Sequence, residues 1–183
     1  MRQPGQRPPL YTPEERQRRD ETPWTLVQGV LAPLQFAVFL VSLWLVVSYL
    51  LTGDGFFAAT VSVVVKTLVL YTIMVTGSIW EKVVFGRYLF ARPFFWEDVF
   101  SILVLALHTA YLGALFAGAE PRHQMFLALA AYATYIINAT QFLLKLRAAR
   151  LDAAAEKAAG ERASPDQVSH PGQASAGVVG LTK

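Results

Sequence analysis

Four long apolar runs make up most of the chain, and the stretches between and beyond them hold all of its Lys, Arg, Asp and Glu except Lys66. From Thr22 to Gly53 there is no Asp, Glu, Lys, Arg or His, a span longer than the roughly 20 apolar residues that cross a bilayer core. Three more runs follow, at Phe56 to Trp80, Val99 to Ala117 and Gln124 to Leu144. The turn Thr52-Gly53-Asp54-Gly55 separates the first pair, and Gly118-Ala119-Glu120-Pro121-Arg122 separates the last; both carry the Gly and Pro punctuation of loops. The pattern predicts an all-α polytopic membrane protein whose four transmembrane helices form a bundle over residues 23–150. Ahead of it, Thr12-Pro13-Glu14-Glu15 has capping-box spacing with Pro at the first helical position, which predicts a short polar helix inside a cytoplasmic arm, residues 1–22. Thr22-Pro23 repeats the start signal just before Trp24. Beyond Arg150 the composition turns to Ala, Gly, Ser, Gln and Pro, which predicts a disordered cytoplasmic tail over residues 151–183.

Composition supports a lipid solvent. A chain of 183 residues that is 54% hydrophobic, with a mean hydropathy of +0.38, has too little polar surface for a small water-soluble globule. Cysteine is absent, which excludes disulfides, thiolate metal sites and cysteine nucleophiles. The Pro-, Gln- and Arg-containing start is followed by no small-residue cleavage site, so the first apolar run is expected to stay in the mature protein. Net charge is only +3, and its placement says more than its size. Arg16, Arg18 and Arg19 precede the first run; Lys82, Arg87 and Arg92 lie between the second and third; Lys145, Arg147 and Arg150 follow the fourth. The opposite side has Arg122 alone. The positive-inside rule then predicts N-in, C-in in a cytoplasmic membrane. These cations are topology signals next to lipid and not a nucleic-acid site.

Polar side chains at membrane depth are costly, so each needs a partner or a use. Gln28, Gln35 and Ser42 recur every seven residues on the first run, forming either a packing stripe or part of a polar interior. Lys66 lies about ten residues from the outer end of the second run and His108 about eleven from the inner end of the third, so at roughly 1.5 Å per residue they reach similar depth. Lys66 either snorkels outward or serves a site. Glu97, Ser101, His108 and Tyr111 share one face of the third helix. On the fourth run Tyr132, Tyr135, Asn138, Gln141 and Lys145 are polar, the last three at helical spacing. The bundle is therefore expected to hold a middle layer of Gln35, Lys66, His108 and Tyr135, and an inner layer of Gln28, Glu81, Glu97, Asp98 and Gln141. The inner carboxylates either pair with Lys82, Arg87 and Arg92 or do chemistry.

Several chemistries are excluded by what the chain lacks. There is no Gly-rich phosphate loop, no H-E-x-x-H and no G-x-S-x-G. Of the three histidines only His108 is deep, too few for bis-histidine haem. The segment Lys82 to Trp96, KVVFGRYLFARPFFW, alternates bulky aromatics with cations. It is either an aromatic belt with basic anchors or a gate for an amphiphilic substrate from the inner leaflet.

The runs LYTPEERQRRD, WTLVQGVLAPLQF, VVVKTLVLYTIMVTGSIWEKVVFGRYLF, FFWEDVFS, LHTAYL and YATYIINATQFLLKLRAAR resemble the vinyl bacteriochlorophyllide hydratase family of phototrophic bacteria. The likeness covers about Leu10 to Arg150. It implies a hydro-lyase that adds water to the ring-A 3-vinyl group of chlorophyllide a or 3-vinyl bacteriochlorophyllide a, giving the 3-(1-hydroxyethyl) derivative in bacteriochlorophyll synthesis. It implies no cofactor, magnesium entering only as part of the pigment, and other enzymes of that synthesis as possible neighbours in the membrane.

Hydrating such a vinyl group needs a proton on the terminal carbon, a cation at the inner carbon, and a deprotonated water to attack it, so one acid and one base suffice. A carboxyl at the edge of an apolar site can keep its proton and act as the acid. Glu97 is the first choice of donor, followed by Asp98 and Glu81, while a second carboxylate or His108 orients the water. Glu97 and His108 are roughly 16 Å apart along one helix and cannot both touch one vinyl group. A macrocycle between them could have its magnesium ligated by His108, with Lys66, Gln35, Tyr135 and Asn138 lining it and its propionate at Arg87 or Arg92. The alternative for His108 is a hydrogen bond to Tyr111 or Tyr135. Two further classes stand beside the hydratase: a non-catalytic pigment-binding or assembly protein of the photosynthetic apparatus, and a small transporter, which the lack of an internal repeat disfavours.

Overall fold

Each apolar run forms one helix, and the helices run past the expected boundaries wherever nothing in the sequence stops them. The computed structural model describes residues 10–163. Its helices are α1 (Pro13–Glu21), α2 (Pro23–Thr52), α3 (Phe56–Phe85), α4 (Phe95–Phe116) and α5 (Pro121–Ala163), with a 3-10 turn over Arg92–Phe94 leading into α4. There is no strand among the described residues. Four of the helices, α2 to α5, are long and apolar enough to cross a membrane, and the chain is a membrane protein.

The ends have local causes. The Thr22 hydroxyl accepts from the Trp24 N–H at 3.4 Å to open α2, and Gly53 closes it in the left-handed region at φ 81°, where glycine is favoured. The apolar run of α3 closes at Trp80, but Glu81 and Lys82 do not break a helix. It continues to Gly86, again left-handed at φ 79°. α4 starts at Phe95, four residues ahead of its apolar run, which puts Glu97 and Asp98 in its first turn, where the helix dipole favours negative charge. α5 does not stop at Arg150. The segment 151–163 is helical, because its Ala, Glu and Lys are strong helix formers, a tendency that outweighs its lack of apolar surface. The remainder of the expected tail, 164–183, and residues 1–9 of the arm lie outside the described residues.

Packing is by hairpins. α2 packs along α3 and α4 along α5, while the two hairpins meet each other over fewer residues. Trp44, Leu51, Phe57 and Phe116 face outward, whereas Ser42, Lys66 and His108 are fully enclosed. Polar groups inside and apolar groups outside is the arrangement a lipid solvent demands. α1 has its capping box, Thr12 N–H to Glu15 at 2.8 Å and Glu15 N–H to Thr12 at 3.2 Å, as the spacing predicts. It folds under the basic end of the bundle. Tyr11 stacks on Phe85 at 5.7 Å, and Arg19 lies over the Tyr11 ring at 4.7 Å. Trp80, Phe94 and Phe142 complete an aromatic floor with them. Trp80 also donates to Thr25 at 2.9 Å, and Thr25 donates to the Arg19 carbonyl at 2.6 Å, so the arm is tied to α2 and α3.

Candidate active site

Directly above that floor, α3, α4 and α5 bring three carboxylates and one ammonium together. Glu81 comes from the last turns of α3, Glu97 and Asp98 from the first turn of α4, and Lys145 from α5. All three carboxylates are more than nine-tenths buried. Lys145 Nζ lies 2.6 Å from Glu97 Oε1, donates to the Pro93 carbonyl, and sits 4.8 Å over the Phe94 ring. Glu97 and Lys145 thus form a buried ion pair, with the ammonium further fixed by the loop carbonyl and the ring.

The other two carboxylates are arranged differently. Glu81 and Asp98 are within hydrogen-bonding contact of each other. An ionised carboxylate has no donor, so this contact requires one proton between the two groups. Each also fastens the loop between the hairpins. Asp98 Oδ2 accepts from the Phe90 N–H at 2.7 Å, and Glu81 Oε2 accepts from the Ala91 N–H at 3.3 Å. Phe90 has φ 59°, rare for a bulky residue and held only where its surroundings fix it; the Asp98 contact is one such constraint. Glu97 acts electrostatically on both members of the pair, so acid pair and ion pair are neighbours.

One turn deeper, Asn138 on α5 donates to Ser101 on α4 at 2.8 Å. Deeper again is the middle layer. Lys66 is fully buried and its Nζ lies 4.0 Å over the Tyr135 ring, so it points between the hairpins and does not snorkel outward. His108 is also fully buried. Its Nδ1 lies 2.8 Å from the carbonyl of Val104, which makes Nδ1 the donor and leaves Nε2 of a neutral ring as a bare lone pair. No partner among the described residues reaches Nε2, so the alternative bond to Tyr111 or Tyr135 is not made; the ring packs against Tyr132 at 5.8 Å. Gln35 is buried with its Oε1 unpartnered, as is Lys66 Nζ. The remaining stripe residues of α2 are satisfied across the bundle. Gln28 donates to Thr76 at 2.7 Å, and Ser42 meets Ser62 at 2.7 Å and Tyr132 at 2.5 Å.

The cations expected beside the carboxylates are elsewhere. Lys82 donates to the Gly86 carbonyl at 3.0 Å and lies 5.2 Å over the Tyr88 ring. Arg87 and Arg92 are exposed. The counter-ion is Lys145, which the sequence lists among the topology signals although its helical spacing from Asn138 and Gln141 already places it on their face. The loop amides of Phe90 and Ala91 had no signal in the sequence, since every residue has an N–H.

The model of the 2-vinyl bacteriochlorophyllide hydratase family (BCHF) matches residues 11–148. The chain belongs to this family. Two 2-vinyl bacteriochlorophyllide hydratases are similar to it. The one from Rhodobacter capsulatus is 72% identical over 149 residues, covering 81% of this chain and 87% of the relative. The one from Cereibacter sphaeroides is 71% identical over 143 residues, covering 78% and 89%. No solved structure matches the chain. The region shared with the hydratase family starts at the aromatic floor, at Tyr11, and ends just past Lys145, so it takes in every member of the carboxylate site.

Proposed function

We propose that this hydratase adds water to the ring-A vinyl group of a chlorophyllide or bacteriochlorophyllide, giving the 1-hydroxyethyl group, as a hydro-lyase that draws on no cofactor. The supporting observation is the adjacency of two buried carboxyls in contact, Glu81 and Asp98, to a third, Glu97, that is ion-paired with Lys145. The reaction is redox-neutral and requires an acid and a base together. The pair gives a proton to the terminal vinyl carbon, and the cation left on the inner carbon is delocalised into the ring. Water attacks that carbon, and its proton goes to Glu97. Because Glu97 is next to the pair, the proton can return to it and reset the site. Glu97, the first choice of donor from the sequence, thereby takes the part of base, and the donor is the Glu81 and Asp98 pair.

The pigment enters between the two hairpins, where Lys66, Gln35, Tyr135 and Asn138 line the polar middle and His108 Nε2 offers a lone pair to the magnesium of the substrate. Arg87 and Arg92 at the loop accept its propionate. The protein lies in the cytoplasmic membrane of a phototrophic bacterium, with lipid around it and both termini inside. Cysteine placed at Asp54 in the Cys-less chain will then label from outside the cell only, and cysteine at Arg87 from the cytoplasm only; both labelling from one face would overturn the topology.

A second reading, pigment carriage without chemistry, draws on the loop contacts of Glu81 and Asp98, which give those carboxylates a structural use. Membranes containing this protein alone, supplied with the vinyl pigment and no cofactor, separate the two. The hydratase forms the hydroxyethyl product; a carrier returns the pigment unchanged.

A further inference from the structure

Glu97 uses only one of its oxygens for Lys145. The other, Oε2, is buried and no donor among the described residues reaches it. Two amide oxygens at the same end of the facing helix share that condition: Asn138 Oδ1 and Gln141 Oε1. Their positions are fixed by two cross-links. Asn138 is tied to Ser101, which lies one turn beyond Glu97 on α4, and Lys145 is tied to Glu97 itself. Gln141 is three residues after Asn138 and four before Lys145, so it lies between the cross-links on the face of α5 that meets α4. Three buried acceptors thus gather within about two helical turns. A buried acceptor without a donor is costly, so the missing donors come from outside the protein. The ligand that fits is small, brings two O–H donors, and needs two to four polar partners: a water molecule.

We propose that Glu97 Oε2, Gln141 Oε1 and Asn138 Oδ1 hold the water that is added to the vinyl group, with Glu97 as its base and Lys145 as the residue that positions Glu97. This rests on the hydratase assignment above and extends it to the second reactant. A water between amides alone would be a packing bridge. Here one of its partners is an ionised carboxylate beside the acid pair, so it can be deprotonated where the cation forms. In the step, the vinyl π bond breaks, a C–H bond forms at the terminal carbon with the proton of the pair, a C–O bond forms at the inner carbon, and one O–H proton of the water passes to Glu97 Oε2. No electrons are gained or lost.

The arrangement separates protonation from water delivery, and deuterium reads the two apart. The full chain in lipid vesicles is given vinyl bacteriochlorophyllide in D2O, and both the hydroxyethyl product and the deuterium at the terminal carbon of recovered vinyl pigment are followed by mass spectrometry. In Glu97→Gln, hydration is expected to fall roughly 10²- to 10⁴-fold while deuterium still washes into the vinyl group, because the pair protonates the carbon and the cation, left without its nucleophile, gives the proton back. In Gln141→Leu, hydration is expected to fall roughly tenfold, the worth of one hydrogen bond at the water, with exchange rising relative to hydration. Hydration at the parent rate in both variants would overturn the water site while leaving the hydratase standing. Loss of hydration and exchange together in Glu97→Gln, with pigment binding intact, would make Glu97 the proton donor and overturn the proposal. A parent chain that neither hydrates nor exchanges would overturn both. Should Glu97→Gln fail to insert, Gln141→Leu decides by the same two readouts.

Discussion

Replacing Glu81 and Asp98 together, as Glu81→Gln with Asp98→Asn, will lower vinyl hydration by roughly 10²- to 10⁴-fold, the loss expected when a general acid is removed, and will leave pigment binding in place. The amides keep the size of the carboxyls, can still accept from the Ala91 and Phe90 N–H groups, and can bond each other, so the loop stays fastened while the titratable proton is gone. Each single replacement leaves one carboxyl able to carry the proton and should cost less than the double. Product formation measured by chromatography, beside absorbance titration of bound pigment, checks this. A double variant that hydrates at the parent rate would remove the pair from the chemistry.

The largest effect on stability is expected at Lys145. In Lys145→Ala a buried carboxylate loses its counter-ion, the Pro93 carbonyl loses a donor and the Phe94 ring loses the cation over its face. Lys145 is only 22% exposed and Glu97 8%, so water does not replace what is lost. Breaking such a pair from one side costs roughly 3–5 kcal/mol, which detergent-solubilised protein would report as an earlier unfolding transition. Adding Glu97→Gln to Lys145→Ala removes the stranded charge and should recover much of the loss, a coupling that a double-mutant cycle measures. Parent-like stability in Lys145→Ala would mean that the ion pair is not what joins α4 to α5 at this end.

The sequence conveyed the architecture because a bilayer leaves few options: each uncharged run longer than the hydrocarbon core becomes a helix. It was less informative about where those helices end, since hydropathy falls at Trp80 and Arg150 but only Gly86 provides a stop on α3, and nothing in 151–163 opposes a helix. The site was legible in the same partial way. Helical spacing put Glu97, Ser101 and His108 on one face, and the structure buries all three. The depth of Lys66 and His108 was also readable, because 1.5 Å per residue is a fixed ruler. Partner choice was not legible. Which cation meets Glu97 depends on how α5 rotates against α4, and Lys145, at the end of an apolar run, looked the same as any anchoring lysine. The pairing of Glu81 with Asp98 depends on a loop whose path is set by Gly86 and by the left-handed Phe90, a conformation that a phenylalanine does not announce.

The double use of Glu81 and Asp98 has a bearing on how such a protein can diversify. In the proposed reaction the carboxyls that move the proton are the same ones that bind the Phe90 and Ala91 amides, so substitutions at 81 or 98 would change rate and architecture at once, and selection could not adjust either trait alone. Variation that alters pigment preference therefore has more freedom where only one trait is touched. Phe90 is one such position: glycine there would adopt φ 59° at no steric cost, relieving the loop of its dependence on Asp98 and leaving that carboxyl to serve the chemistry alone.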